Sequence, residues 1–274
     1  MSILQSTNPV LSDSSLNRVF NAPEIRSGAR STTVSIPGVM AKTGFCTILA
    51  LGAGAIGYSV IAANPGLLMI VNIAAFVLTI VLYFTIMAKP GFAMIGTPIY
   101  SVVQGFLMGG IAYLLDSILK AQGIELSGGV GIQAFIITGA SMAAMLALHT
   151  FNIIRAGPRF TSVLGVVTLG IGLTYLASFI MSFFGAEIPY ISLSSASQGG
   201  SSAMIGLGIN ALILIVAALW LLVDLQQVEQ AAQSGAPKAM EWVLTFGLIV
   251  TLAWVFLEAL KLVFRIAMMF GNRD

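Results

Sequence analysis

The sequence predicts an all-α membrane protein of seven transmembrane helices, and three observations carry that prediction. Hydrophobic residues make up 58% of the chain and charged residues 8%, with a mean hydropathy of +0.99, a composition no soluble globular domain has. Seven apolar runs approach the roughly 20 residues needed to cross hydrocarbon. Between them stand clusters of Gly, Pro, Asn and charge, the residues that turn a chain at a membrane surface. The runs must be helical, because a backbone in hydrocarbon has to bond within its own segment.

The elements follow in order. Residues 1–41 are rich in Ser, Asn and Thr and lack the continuous apolar core of a secretory signal, so they form a polar, partly disordered cytoplasmic tail. Residues 42–274 are the transmembrane domain. Its first span, 43–61, stops at Asn64-Pro65-Gly66, and the second, 67–88, at Lys89-Pro90-Gly91. The third, 97–115, gives way to a loop from Asp116 to Gly129, and the fourth, 129–150, to a turn around Gly157-Pro158. The fifth, 161–184, leads into the loop from Gly185 to Ser202. The sixth, 203–224, carries a polar overhang to Gly235-Ala236-Pro237, and the seventh runs over 239–269. GAGAIG in the first span resembles a dinucleotide fingerprint, but no strand precedes it. Small residues here allow helices to approach closely, as the Gly105-x-x-x-Gly109 spacing does in the third span.

Charge sets the orientation. With the N-terminus in the cytoplasm, Arg18, Arg26, Arg30, Lys42, Lys89, Arg155, Arg159 and Lys238 fall inside, eight of the twelve basic residues, as the positive-inside rule requires. The expectation is a multi-pass protein of the plasma (inner) membrane. A net charge of +2 spread along the chain offers no face for nucleic acid. The single cysteine, Cys46, lies in an apolar run and reads as a core residue. The single histidine, His149, stands at a helix end, an interfacial place, with pH sensing as the sharper alternative. One histidine supports neither a zinc site nor a catalytic triad, so neither an enzyme nor a cofactor is expected. The lipid bilayer is the partner the composition demands, and a monomer suffices.

The acids are more informative. Asp13 and Glu24 in the tail, Asp116, Glu125 and Glu187 in outer loops, and Glu229 in the overhang need only solvent. Asp224 closes the sixth span, Glu241 opens the seventh and Glu258 lies well within it. An ionisable group inside a span costs roughly 2.5–3.5 kcal/mol, so it marks a functional site by default. The bland alternatives are concrete: Asp224 reaches headgroup water, Glu258 pairs with Lys261 or Arg265 on a similar face, and Glu241 favours the positive end of its helix.

Several stretches together resemble the Bax inhibitor-1 superfamily, the transmembrane Bax inhibitor motif-containing proteins, in its bacterial Bax inhibitor-1/YccA-like branch. They are Asn8-Pro9-Val10, Lys42-Thr43-Gly44, TPIYSVVQGFLMGGIA, FGAEIPY and, most specific, VDLQQVEQAAQSGAPKAMEWVLTFGLIVTLAWVFLEALKLV. The resemblance implies a central seventh helix wrapped by the other six, and a proton-regulated calcium leak. It assigns to Asp224 and Glu258 the roles of the two acids that share a proton or hydrogen bond and latch the pore, and it makes them transient calcium ligands. Glu241 joins them as an ion-pathway candidate. Gln104 stands where much of the branch is expected to carry a glutamate, which makes it a pathway-lining candidate. A rival reading within the superfamily is a non-conducting regulator that binds a membrane protease through the tail.

Two carboxylates in a poorly solvated site cannot both ionise cheaply, and when ionised they offer hard oxygen ligands to Ca²⁺. Height, however, separates them. At about 1.5 Å per residue, Asp224 lies roughly 16 Å and Glu258 roughly 32 Å from the Gly235-Ala236-Pro237 turn. Either the overhang bends and the seventh helix tilts, or Glu258 acts alone, or Asp224 finds another partner such as Glu241.

Overall fold

The computed structural model describes residues 33–271, apart from Asn152, Arg155 and Pro189. The tail to residue 32, Arg155, Arg273 and Asp274 therefore lie outside the described residues.

Seven long helices follow one another, each apolar enough to cross a membrane: α1 (Ile36–Ala63), α2 (Leu68–Ala88), α3 (Ala93–Ala121), α4 (Gly129–Thr150), α5 (Pro158–Ser182), α6 (Gly200–Gln233) and α7 (Met240–Phe270). The protein is a multi-pass, all-α membrane protein. Short 3-10 turns at Pro65–Leu67 and Pro90–Phe92 lead into α2 and α3, and a five-residue helix, Ser194–Gln198, precedes α6.

α1 begins at Ile36, seven residues ahead of the expected start. Ser35 caps it, its Oγ accepting from the Gly38 amide at 3.1 Å with a proline in the first turn, and this local start signal sets the N-terminus ahead of the apolar run. Just before the cap, the Val34 amide donates to the Ala236 carbonyl at 2.8 Å, and Thr33 pairs with Pro237. The entry to α1 is thereby tied to the α6–α7 turn. That turn, the start of α1, the α2–α3 turn and the α4–α5 loop share one face of the bundle. The α3–α4 and α5–α6 loops and the end of α7 share the opposite face.

The last helix is the axis. α7 packs on α6, α4, α3 and α1, and 67% of its most apolar window is buried, against 11% for α2 and for α5. Those two outer helices present residues such as Met69, Ile70, Phe84, Val166 and Phe179 outward, toward lipid. The core divides along α7. Near the first face, Phe246 meets Tyr100 edge to face and Tyr83 at a tilt; toward the second face, Leu214, Leu221, Val255 and Leu260 belong to one cluster.

Gly105 and Gly109 serve the close packing their spacing predicts. A Cβ on either would stand 2.0 Å from a carbonyl oxygen of α1, that of Ala50 or Gly54. Cys46 is fully buried in the core. Asp116 corrects the sequence reading: it is not a solvated loop acid but a buried residue of α3, whose Oδ1 accepts from the Val130 amide at 2.8 Å. It satisfies one of the orphan N–H groups in the first turn of α4.

Candidate functional site

Glu258 and Asp224 both face inward, at different levels of the α6–α7 seam. Glu258 is 1% exposed. Its Oε1 accepts from Lys261 Nζ at 2.7 Å, the Tyr175 hydroxyl at 2.9 Å and Trp254 Nε1 at 3.3 Å, and its Oε2 accepts from Asn210 Nδ2 at 2.8 Å. Lys261 also donates to the Tyr175 hydroxyl at 2.8 Å and lies 4.3 Å from that ring's centroid. The carboxylate is thus held by α5, α6 and its own helix, with Lys261 as its counter-charge. Lys261 and Trp254 reach it because residues three and four apart share a helical face.

Asp224 is fully buried and accepts from the Thr251 hydroxyl at 2.5 Å. Thr251 precedes Glu258 by seven residues, so the two acids engage α7 at levels about 10 Å apart. On α6, Asn210 and Asp224 are fourteen residues apart, about 21 Å of helix. The carboxylates therefore occupy two separate polar stations, as the helix heights foretell, and not one shared latch. At levels between the stations, Leu214, Ala217 and Leu221 of α6 and Val255 of α7 belong to one buried apolar cluster, each no more than 9% exposed. One turn beyond Asp224, Gln227 is buried with neither amide atom hydrogen-bonded among the described residues.

Arg265, the other predicted candidate partner of Glu258, goes elsewhere. It is 2% exposed and donates to the carbonyls of Tyr190, Ile191 and Ser192 at 2.9–3.1 Å and to Ser195 Oγ at 2.9 Å. The guanidinium gathers the α5–α6 loop over the second-face end of α7. In that loop Glu187 is fully exposed, and hydrogen bonds from the Ser194 and Ser192 hydroxyls hold its carboxyl below the usual carboxylate range.

Glu241 is not merely near a helix N-terminus. It is fully buried and accepts from the Ser35 amide and hydroxyl, each at 3.0 Å, and from Lys42 Nζ. It clasps the start of α7 to the start of α1, well away from the stations of Asp224 and Glu258. His149 sits at the end of α4, its Nε2 3.4 Å from the Glu229 carboxylate of the overhang.

Gln104 lines a different cavity, between α1, α3, α4 and α7. The α7 residues there, Ile249, Leu252, Ala253 and Phe256, lie on the face opposite Thr251 and Glu258, at about 100° per residue. Among the described residues no three His, Cys, Asp or Glu side chains converge on a metal position.

Sequence reasoning missed Tyr175, Asn210 and Thr251. Asn210 carried a usable signal, a carboxamide midway through an apolar run. Tyr175 and Thr251 carried none, since both residue types are common in membrane helices.

A family model described as Bax inhibitor 1 like matches residues 8–268. Neither the curated proteins nor the solved structures contain a match to the chain.

Proposed function

Because this chain belongs to the Bax inhibitor 1 like family, we propose that it is a pH-regulated calcium leak whose ion path follows the α6–α7 seam, held closed in the conformation described. The observation that carries the reading is the pair of buried acidic stations with an apolar collar between them. A carboxylate kept inside a membrane costs several kcal/mol unless partnered, and two in one seam mark a route for cations more economically than two unrelated packing accidents. The collar of Leu214, Ala217, Leu221 and Val255 is the barrier: a dry constriction excludes hydrated ions. Glu258 already holds a cation, the Lys261 ammonium, so calcium gains its oxygens only when Lys261 withdraws.

The groups facing Glu258 are Lys261 and Trp254 from α7, Tyr175 from α5 and Asn210 from α6. Protonating Glu258 or Asp224 removes the charge that attracts calcium, so influx falls with falling pH. The first face is the cytoplasmic one, on the distribution of Lys and Arg, and the membrane is the bacterial inner membrane.

A second reading is favoured by one observation. The bonds of Val34 to Ala236 and of Ser35 and Lys42 to Glu241 fix the point where residue 33 leaves the bundle, which suits a tail that docks on a membrane protease. The test is influx into liposomes holding a calcium indicator, between about pH 6 and 8. A leak above protein-free liposomes that rises with pH and flattens in Asp224→Asn and Glu258→Gln supports the channel. No leak at any pH from correctly folded protein sinks it. Deleting residues 1–30 then decides the rival, which requires loss of partner binding with no effect on flux.

A further inference from the structure

We propose that residues 190–198, in the loop between α5 and α6, are a lid over Glu258, latched to the end of α7 by Arg265, and that its opening admits water from the second face to the carboxylate. The topology makes the well that the lid covers. Tyr175 of α5, Asn210 of α6 and Lys261 of α7 surround the Glu258 carboxylate. Tyr175 stands seven residues before Ser182, where α5 ends, and the chain that joins α5 to α6 at the second face crosses above the helices that enclose the acid.

Arg265 draws that chain down. It follows Glu258 by seven residues, two helical turns, so it projects from the same face of α7 about 10 Å nearer the second face. On α6 the matching step is four residues. Asn210 meets Glu258, and Gly206 meets the guanidinium, where a Cβ would stand 2.4 Å from Nη1. A side chain at Gly206 would therefore push Arg265 off the seam. From this position Nη2 donates to the carbonyls of Tyr190, Ile191 and Ser192, and Nη1 to the Ser195 hydroxyl. Ala196, 3% exposed, seats the lid in the apolar cluster that holds Val263 and Ala267 of α7. Guanidinium and loop together stand between Glu258 and the second face.

The latch is built to release. Arg265 is 2% exposed, yet every group it binds is neutral, and among the described residues it has no ion pair and its Nε–H meets no acceptor. A charge buried in this way has lost its hydration without an opposite charge to offset the loss, so water at the second face competes for it. Tyr190 is held at φ +72°, the left-handed region that a tyrosine occupies only under strain, and opening relieves it. Gly185 and Gly199, at φ 70° and 69°, bound the segment with residues that turn freely. The lid does not rest on the calcium reading: it covers Glu258 whether or not an ion passes.

The probe is a carbodiimide carrying a trimethylammonium group, which does not cross hydrocarbon, applied with glycinamide to the full chain in phosphatidylcholine nanodiscs. It activates carboxyls that are reached from water. At Glu258 the Lys261 amine, 2.7 Å away, attacks the activated carbonyl and displaces the urea, leaving an isopeptide bond that peptide mass spectrometry reads as the loss of one water; glycinamide captures the other carboxyls as amides. Amide exchange over residues 190–198 reads the lid in the same samples. In the native protein Glu258 should react at least roughly tenfold more slowly than the exposed Glu187, the protection expected when one hydrogen bond to a charged group must break first. Arg265→Lys keeps the charge and loses the fork. Gly206→Ala displaces the guanidinium while favouring helix in α6. Each should speed lid exchange and Glu258 modification together by about tenfold. Asp224 and Glu241, buried elsewhere, should stay unmodified in an intact bundle; if they react in one variant, that variant is unfolded and the other decides. Native Glu258 reacting as fast as Glu187 overturns the proposal. So does a Glu258 rate that stays unchanged while lid exchange quickens, or lid exchange unchanged in both variants.

Discussion

Lys261→Met tests whether the buried carboxylate depends on its internal cation. The substitution keeps an unbranched chain of similar length and removes the ammonium 2.7 Å from Glu258 Oε1. Breaking a buried pair by deleting one partner costs about 3–5 kcal/mol, because the other charge is left stranded. Glu258 keeps its donors from Tyr175, Trp254 and Asn210, which places the expected loss at the lower end, about 3 kcal/mol. For a bundle of this size that corresponds to a fall in melting temperature of about 6–12 °C. Thermal unfolding in detergent, followed by circular dichroism, reads it. The double variant Lys261→Met/Glu258→Gln removes both charges and should recover most of the loss, giving a coupling of about 2 kcal/mol. A single variant melting within about 2 °C of the native protein, or a double variant no more stable than the single one, would refute the reasoning.

Other expectations follow from neighbouring features. Gly109→Ala places a methyl 2.0 Å from the Gly54 carbonyl and should cost about 1–3 kcal/mol by forcing α1 and α3 apart, read as a lowered melting temperature. Lys42→Met strands the Glu241 carboxylate in the same sense as Lys261→Met strands Glu258, for a loss of about 3 kcal/mol, and a paired Glu241→Gln should relieve it in the same unfolding assay. Val255→Thr makes the collar polar at nearly constant volume and should raise calcium influx into liposomes; an unchanged flux would remove the collar from the gate. The Glu187 carboxyl is held below its ordinary range by Ser192 and Ser194, so its hold on the loop is complete near neutrality and is lost only as pH falls through the lowered value. Amide exchange at Ser192 and Ser194 should therefore be slower in the native protein than in Glu187→Gln at neutral pH, and the two should converge in acid.

Span count, order and the close packing at Gly105 and Gly109 were legible because each is a one-dimensional signal: run length, turn residues, a spacing of four. The station heights were legible too, since helical rise converts residue number into depth. What the sequence could not supply was the direction in which each inward group meets a partner from a distant helix. Lys261 and Arg265 are alike in reach along the chain, yet one lies beside Glu258 while the other is surrounded by loop carbonyls that become neighbours only once α6 and α7 cross. Asp116 was misplaced for a related reason. The last turns of α3 continue past the apolar run, so its carboxylate caps the following helix where composition alone suggested open solvent.

The most deeply buried of the seven helices is also the last of the seven to be synthesised. Until α7 inserts, the six preceding helices surround no axis: Asn210 lacks the Glu258 carboxylate, Asp224 lacks the Thr251 hydroxyl, and Ser35 lacks Glu241. Chains interrupted before about residue 240 should therefore persist in the bilayer as loosely associated hydrophobic segments, with polar groups for a membrane quality-control protease to recognise. Insertion of α7 is what converts six inserted segments into a folded bundle.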